Sequence, residues 1–536
     1  MRRVTTVLPG LLLGLALAAP AWSDPPKVPL FGRHKKAAVA PPPAAAPADP
    51  AAAEAPAAAS PPVRPADAPI GTVDVPGSAA AAPADPAPPP AVSPAPAAPA
   101  ATAPAGPAPA DPVAPAAQAD KRADLRAAYA FALPVYEMMR TRQLQVSKVE
   151  AMGAPGVNHL YARTALADAT TRDVTTPNND TLYSSAWLDL AGGPVILDTP
   201  AIPGRYHSAA LMDLYTDNVA IVGTRGGGRG GRYLIAGPGW TGTPPPQTTV
   251  LRSPTNDAWL LVRVLVNGPD DLAAATGLIR GFSLSVTDSH APPVPVRSVP
   301  TAIPDAATFL AVVDEALARN PLPDRARAFA ALNLAPGAPA SPETIARWDA
   351  ALPALRAEVK GGLAETGTTV DGWTYPGEGI GQYGDRDDAA RACVALGGLG
   401  ALPRTEAVYL TAKADAAGAP LTGAKAYTVH LPPKLPVGAF WSLTMYEQDA
   451  GGRLFFVDTP SKRFAVGDRT PELRPNADGS YDIFVQPAAP SGERVVNWLP
   501  SPKGRFVLIF RAYLPGPAFL NGSFRLPPVA ASEVIP

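Results

Sequence analysis

Residues 181–190 read TLYSSAWLDL, and their polar and apolar positions alternate. Leu182, Ser184, Ala186, Leu188 and Leu190 fall on one face. Thr181, Tyr183, Ser185, Trp187 and Asp189 fall on the other, because strand side chains alternate with period two. The turn residues Pro177, Asn178, Asn179 and Asp180 open this strand. Its first face is small or apolar and suits a core. Its second face combines rings, hydroxyls and a carboxylate, which fits either the solvent side of an ordinary sandwich strand or the wall of a ligand pocket. Runs punctuated by Gly and Pro predict further strands at 195–198, 205–215, 219–224, 232–236 and 259–266, and hence an antiparallel sandwich. Helical spacing precedes them at 120–143, with Pro134 as a kink or a break. Alanine-rich helical patterns follow at 306–319, with Asp305 suited to the N-cap and Asn320-Pro321 to the stop, and at 342–359. A helix at 385–396 then leads into strands at 425–430, 439–447, 481–486 and 505–513. The expected fold is mainly β with a helical segment: an N-terminal β-sandwich domain over 119–299, a helical middle over 300–381 and a second β-domain over 382–536.

Composition adds a compartment. Residues 1–23 have a basic start at Arg2 and Arg3, an apolar run too short to span a membrane comfortably, and two small-residue cleavage sites, Ala19-Pro20-Ala21 and Ala21-Trp22-Ser23. This predicts a secretory signal, with an uncleaved anchor as the alternative. Many of the 70 prolines lie in residues 24–118, an Ala/Pro stretch with too few large apolar groups to offset its ordering entropy, so a disordered linker is expected there. The single cysteine, Cys393, excludes an intrachain disulfide, a CxxC pair, a cysteine zinc site and a lipoprotein anchor. With 45 basic and 46 acidic residues, no bulk field favours nucleic acid. A periplasmic or secreted protein is expected, without a nucleic-acid partner and without a transmembrane segment after signal cleavage. Homo-oligomerisation stays open.

TPNNDTLYSSAWLDL at 176–190, PGRYHSAALMDLYTDNVAIVGTR, GPGW at 237–240 and the SPT…WLLVRV run resemble the bacterial domain of unknown function 1254. RACVALGGLGA at 391–401, LTGAKAYTVHLPP, AFWSLTMYE at 439–447, DGSYDIFVQ, NWLPSP at 497–502 and FRAYLPG resemble its usual partner, the domain of unknown function 1214. The resemblance covers about residues 125–530 and implies an Ig-like N-terminal sandwich and a jelly-roll-like C-terminal one. It implies no reaction. Two positions depart from the pattern: a turn reads Arg225-Gly226-Gly227-Gly228, and Arg463-Phe464 stands where Arg-Tyr is usual.

If the 205–215 strand is continuous, Arg205, His207, Asp213 and Tyr215 project from one face and Tyr206, Met212 and Leu214 from the other. A sheet face bearing Tyr183, Asp189, Arg205, His207 and Asp213 would suit a polar ligand; the alternative is a buried Arg–Asp pair that fixes register. The candidate ligand residues are Asn179, Asp180, Tyr183, Asp189, Arg205, Asp213, Tyr215 and Arg225 from the first β-domain, with Trp441, Tyr446, Asn497 and Trp498 from the second. The aromatics among these equally suit a sandwich core. GGGRGG at 226–231 precedes a strand rather than a helix, which rules out the dinucleotide reading. His34, His159, His207, His290 and His430 carry no metal spacing, and Asn476–Asp482 lacks the glutamate of a calcium loop. No cofactor and no metal are expected. The expected function is binding of a small polar molecule or an envelope component at or near the interface of the two β-domains. The alternative is a hydrolase or lyase using Asp180 or Asp189 as base and Arg205 or Arg225 as anion clamp.

Overall fold

The alternating runs of the first half form nine strands in the computed structural model: Tyr161–Ala162 (β1), Thr181–Asp189 (β2), Val195–Thr199 (β3), His207–Asp213 (β4), Asn218–Gly223 (β5), Gly231–Ala236 (β6), Thr249–Arg252 (β7), Asp257–Leu265 (β8) and Ser283–Val286 (β9). The structure describes residues 115–533 apart from 173, 338, 363–365 and 450–452, with side chains from residue 124 onward. The expected signal, His34 and residues 24–114 of the expected linker lie outside the described residues. The described part falls within one contact unit, Gly106–Pro536. Its strands make two sheets, ordered β1-β2-β8-β4-β5 and β7-β6-β3-β9. Between them lie Leu182, Ala186 and Leu188 of β2 with Leu211, Val262, Leu197 and Ile235. The apolar face of β2 is thus the core face, as the alternation requires.

The opposite face of the first sheet is covered as well. At one end Trp187, Met212 and Trp259 join a helical core. At the other end Tyr206, Ala210 and Leu265 pack against Ala407, Phe440 and Tyr513 of the second β unit.

The helices are Pro115–Ala151 (α1), Leu272–Arg280 (α2), Ala306–Arg319 (α3), Pro342–Gly362 (α4), Asp388–Gly398 (α5) and Pro517–Leu520 (α6). Asp305 caps α3 by accepting from the Thr308 amide. Helix α1 continues through Pro134, so of the kink or break expected there the break does not occur. Its residues Ala128, Tyr129, Phe131, Ala132, Leu133, Val135, Tyr136, Met138 and Met139 are buried on every side. A helix apolar all round is a central helix, and packing by α3, α4 and α5 compensates for the hydrogen bond that proline removes.

The second half adds Gly367–Val370 (β10), Trp373–Pro376 (β11), Ala407–Ala412 (β12), Ala426–Leu431 (β13), Val437–Gln448 (β14), Leu454–Phe455 (β15), Ala465–Gly467 (β16), Tyr481–Gln486 (β17), Trp498–Pro500 (β18), Phe506–Pro515 (β19) and Ala530–Ser532 (β20). One sheet is ordered β10-β11-β12-β19-β14-β15 with β16 beside β14; the other is β18-β17-β13-β20. Val408, Leu443 and Phe510 of the first pack with Tyr427, Val429 and Val485 of the second. The chain is mainly β, with two sandwiches and a helical segment, as expected. Two connections differ from the sequence reading. The β10–β11 hairpin joins the second β unit ahead of residue 382, and α5, beyond that boundary, packs in the helical layer with Ala392 in its core. Periodicity tells a helix which face to bury but not which neighbour receives it. Among the described residues no helix is long and apolar enough to cross a membrane.

Candidate functional site: the seam between the two β units

The seam is built from strands that each carry one charged residue inside an apolar run. Strand β8 reads DAWLLVRVL and places Arg263 opposite Tyr183 of β2. Strand β19 reads FVLIFRAYLP and places Arg511 opposite Ser442 of β14. The Arg511 Nη1 donates to Thr444 Oγ1 at 2.7 Å and its Nη2 to the Tyr446 hydroxyl at 2.6 Å. Tyr446 in turn donates to the Pro177 carbonyl at 2.6 Å, across the seam.

Asp180 is held from the second unit. Its Oδ2 accepts from Ser442 Oγ at 2.7 Å and its Oδ1 from Arg469 Nη2 at 3.0 Å. Asn178 donates to the Tyr513 hydroxyl at 2.8 Å and accepts from the Asp180 amide at 2.6 Å. Tyr206 donates to Glu406 Oε1 at 2.8 Å. Burial pushes the Glu406 carboxyl up, and pushes the phenols of Tyr206, Tyr409 and Tyr513 up as well. Tyr446 is pushed up to about 12, again by burial first. All these phenols are protonated at neutral pH.

Two tyrosines and one arginine differ from this satisfied network. Tyr183 and Tyr409 keep accessible surface, whereas Tyr206, Tyr446 and Tyr513 have almost none. Among the described residues no protein group hydrogen-bonds the Tyr183 or Tyr409 hydroxyl. The two are electrostatic neighbours of each other and of Arg263. Arg263 is 5% exposed and stands over the Tyr183 ring, 5.4 Å from its centre. Its Nη2 donates to the Gly400 carbonyl at 3.1 Å, its Nη1 is enclosed without a hydrogen-bond partner, and no carboxylate pairs with it among the described residues.

Models of two families match the chain: "Protein of unknown function (DUF1254)" over residues 157–286 and "Protein of unknown function (DUF1214)" over residues 406–517. The chain carries a DUF1254 domain followed by a DUF1214 domain. The seam is where these two meet: Tyr183 and Arg263 come from DUF1254, Tyr409 and Arg511 from DUF1214. The fold is similar to the crystal structure of the VPA0106 protein from Vibrio parahaemolyticus, at 22% identity and a TM-score of 0.59, covering 77% of this chain and 99% of that one. An uncharacterised protein from Burkholderia cenocepacia is similar at 12% identity and a TM-score of 0.41, covering 79% and 91%. No curated protein matches.

The candidates from the sequence scatter. Only Asp180, Tyr183 and Tyr446 reach the seam proper, with Arg225 at its rim, where Nη1 donates to Thr405 at 3.1 Å and lies 3.7 Å from Glu406. Asn179 is half-buried beside Asn178, which makes the hydrogen bonds. The five-residue polar face does not exist. In register, Tyr183 and Asp189 share a face with Arg263 and Asp257, whereas His207 and Asp213 share the opposite face with Val264 and Ala258. The strand is His207–Asp213, so Arg205 and Tyr215 lie beyond its ends. Arg205 pairs with Asp271, and Tyr215 donates to the Pro321 carbonyl at 3.1 Å. Asp189 is fully buried, 2.9 Å from Arg319 Nη2, so it is a structural anion and not a base. Asp180 and Arg205 are likewise consumed by ion pairs. Trp441 stacks on Phe510 inside the second sandwich. Asn497, in the turn before β18, ties Arg474 to Asp482, and Trp498 on β18 donates to the Gln486 carbonyl at 2.8 Å, both within the second unit. Among the described residues no three acidic, histidine or cysteine side chains group to hold a metal.

The sequence reading missed Arg263, Arg511, Tyr206, Glu406 and Tyr409. A signal was present for the two arginines. A single guanidinium within VRVL or IFRAYL is costly in a strand buried on both faces, unless a partner across a seam receives it.

Proposed function

We propose that this is an exported protein that binds a small polar molecule between its DUF1254 and DUF1214 domains, beside Tyr183 and Tyr409. The observation that carries the reading is a pair of half-buried tyrosines, one from each domain, whose hydroxyls no protein group among the described residues hydrogen-bonds. Every other tyrosine hydroxyl cited at the seam has a protein partner, so these two are left for a ligand or water. Interfaces between domains are where small-molecule sites concentrate. Export rests on the signal pattern of residues 1–23.

The test is a thermal-shift screen of small polar metabolites against the full chain and a double Tyr183→Phe, Tyr409→Phe variant. The native chain is expected to be stabilised by at least one compound and the variant to lose that response. A response unchanged in the variant places the ligand elsewhere. Export is tested by N-terminal sequencing of protein recovered from the periplasm, and an intact Met1 there overturns signal cleavage.

A further inference from the structure

The connector between β9 and α3 reads APPVPVRSVP over residues 291–300 and has no helix, strand or turn. Its sequence sets its shape. Proline fixes φ near −65°, and a residue before proline is pushed into the extended region. Ala291, Pro292 and Val294 each precede a proline, so residues 291–295 are held in the polyproline II range. Three residues make a turn of that helix, which puts Pro292 and Pro295 on one edge.

The connector is fastened by its backbone. The Ala291 amide donates to the Gly192 carbonyl at 2.8 Å. The Val294 amide donates to Asp189 Oδ2 at 3.1 Å, and its carbonyl accepts from Arg319 Nη1 at 2.9 Å. The Arg297 and Ser298 amides donate to Glu315 at 2.8 and 2.7 Å. These anchors leave the side chains outside: residues 291–295 are exposed, Val294 by 59%. Val286, Val294, Val299 and Ile303 are half of the eight exposed large apolar residues among the described ones, so apolar surface is concentrated on this connector. Arg297 is exposed too, and among the described residues no group pairs with its guanidinium. A strap that only tied α3 to the first sheet would need the backbone anchors. It would need neither bare prolines and valines nor an uncommitted cation.

We infer that residues 291–297 are a docking segment for a partner protein domain with an aromatic-lined groove and a carboxylate at its rim. Pro292 and Pro295 enter the groove and Arg297, two residues on, meets the carboxylate. The anchors fix the extended form before binding, so little ordering entropy remains to be lost. The segment lies at the Asp189 end of β2, away from Tyr183 and the seam.

The probe is a fluorescent SH3 domain that selects Pro-x-x-Pro-x-Arg, titrated with the full chain. Saturable binding is expected, about threefold or more tighter than to a free peptide of residues 288–300. Pro295→Ala and Arg297→Ala are each expected to weaken it about fivefold, and Arg297→Glu to abolish it by placing like charges together. Neutralising the acidic rim of the probe is expected to remove the difference between native chain and Arg297→Ala. Each position is exposed, so the variants should melt within about 2 °C of the native chain. Absence of binding overturns the inference, and so does binding to the peptide but not to the full chain, because the anchored segment is then out of reach. Binding that survives both Pro295→Ala and Arg297→Glu overturns it as well. If the SH3 domain stays unbound while anionic lipid vesicles bind, or the chain self-associates, in a manner lost in Val294→Ser, the apolar surface serves a membrane or a second copy and the inference is wrong.

Discussion

Asp180 has both carboxylate oxygens engaged by the other β unit, one by Ser442 and one by Arg469. Asp180→Asn removes the charge that pairs with Arg469, whose Nε and Nη1 are enclosed without hydrogen bonds and whose Nη1 lies 3.7 Å from Asp468. The variant leaves the buried Arg469 charge with only the longer Asp468 contact, so it should lose about 3 kcal/mol in urea unfolding. A loss below about 0.5 kcal/mol, the ordinary range for a surface change, would show that the pair contributes little. Asp213 gives a pH dependence of opposite kind. Burial first, and Asp217 second, push its carboxyl up to about 7, above the ordinary value of about 4. Between these values the folded chain keeps a proton that the unfolded chain has released. Its contribution therefore favours the fold at low pH and is lost as pH rises from about 4 to about 7. Asp213→Asn is neutral throughout and its Oδ1 accepts from the Asp217 amide as the carboxylate does. The stability of the variant relative to the native chain should thus increase between pH 5 and pH 8, measured by denaturant titration at each pH. A constant difference would show that Asp213 is ionised in the fold.

Helix α3 is fastened to the first sheet through its last residue. Asp189 and Asp257 stand directly opposite in the β2–β8 register, a like-charge pairing that repels. Arg319 at the end of α3 bridges them, 2.9 Å from each, and Asn320 adds a hydrogen bond to Asp257 at 2.8 Å. Arg319→Met keeps the length of the side chain and removes the bridge, and should cost about 3–5 kcal/mol. Chemical denaturation checks it, and a cost under about 1 kcal/mol would mean the carboxylates find other partners. The sequence reading foresaw this helix because cap, spacing and stop lie within a few residues of one another. It also found β2 and β17, whose alternation or flanking turns are local. Short edge strands such as β7, β9 and β10 carry too few residues for a period to show. The site was less legible. Asp180 was weighed as a turn cap or a ligand group, because a sequence shows the turn beside it and not Arg469 nearly three hundred residues away. Arg263 was passed over because its strand reads as core, although a charge in such a run is itself the signal.

Across the whole molecule, the two sandwiches and the helices share their buried surfaces. Tyr206 contacts Phe440 and Tyr513 edge to face, with centroids 5.3 and 5.1 Å away, and α5 returns from the second half to pack on α1. Neither β unit buries its seam face alone. Calorimetric unfolding of the full chain should therefore show one transition for the described part, with van't Hoff and calorimetric enthalpies that agree. Two resolved transitions would mean the seam contributes little to either unit. The same seam sets a timetable for the nascent chain. Tyr183, Tyr206 and Arg263 leave the ribosome well before Ala407–Pro515 exist to cover them, so the first half waits with an uncovered aromatic and cationic sheet. Contacts so distant in sequence form slowly, and during that interval the bare sheet is the surface on which a holding chaperone would act and from which aggregation would start.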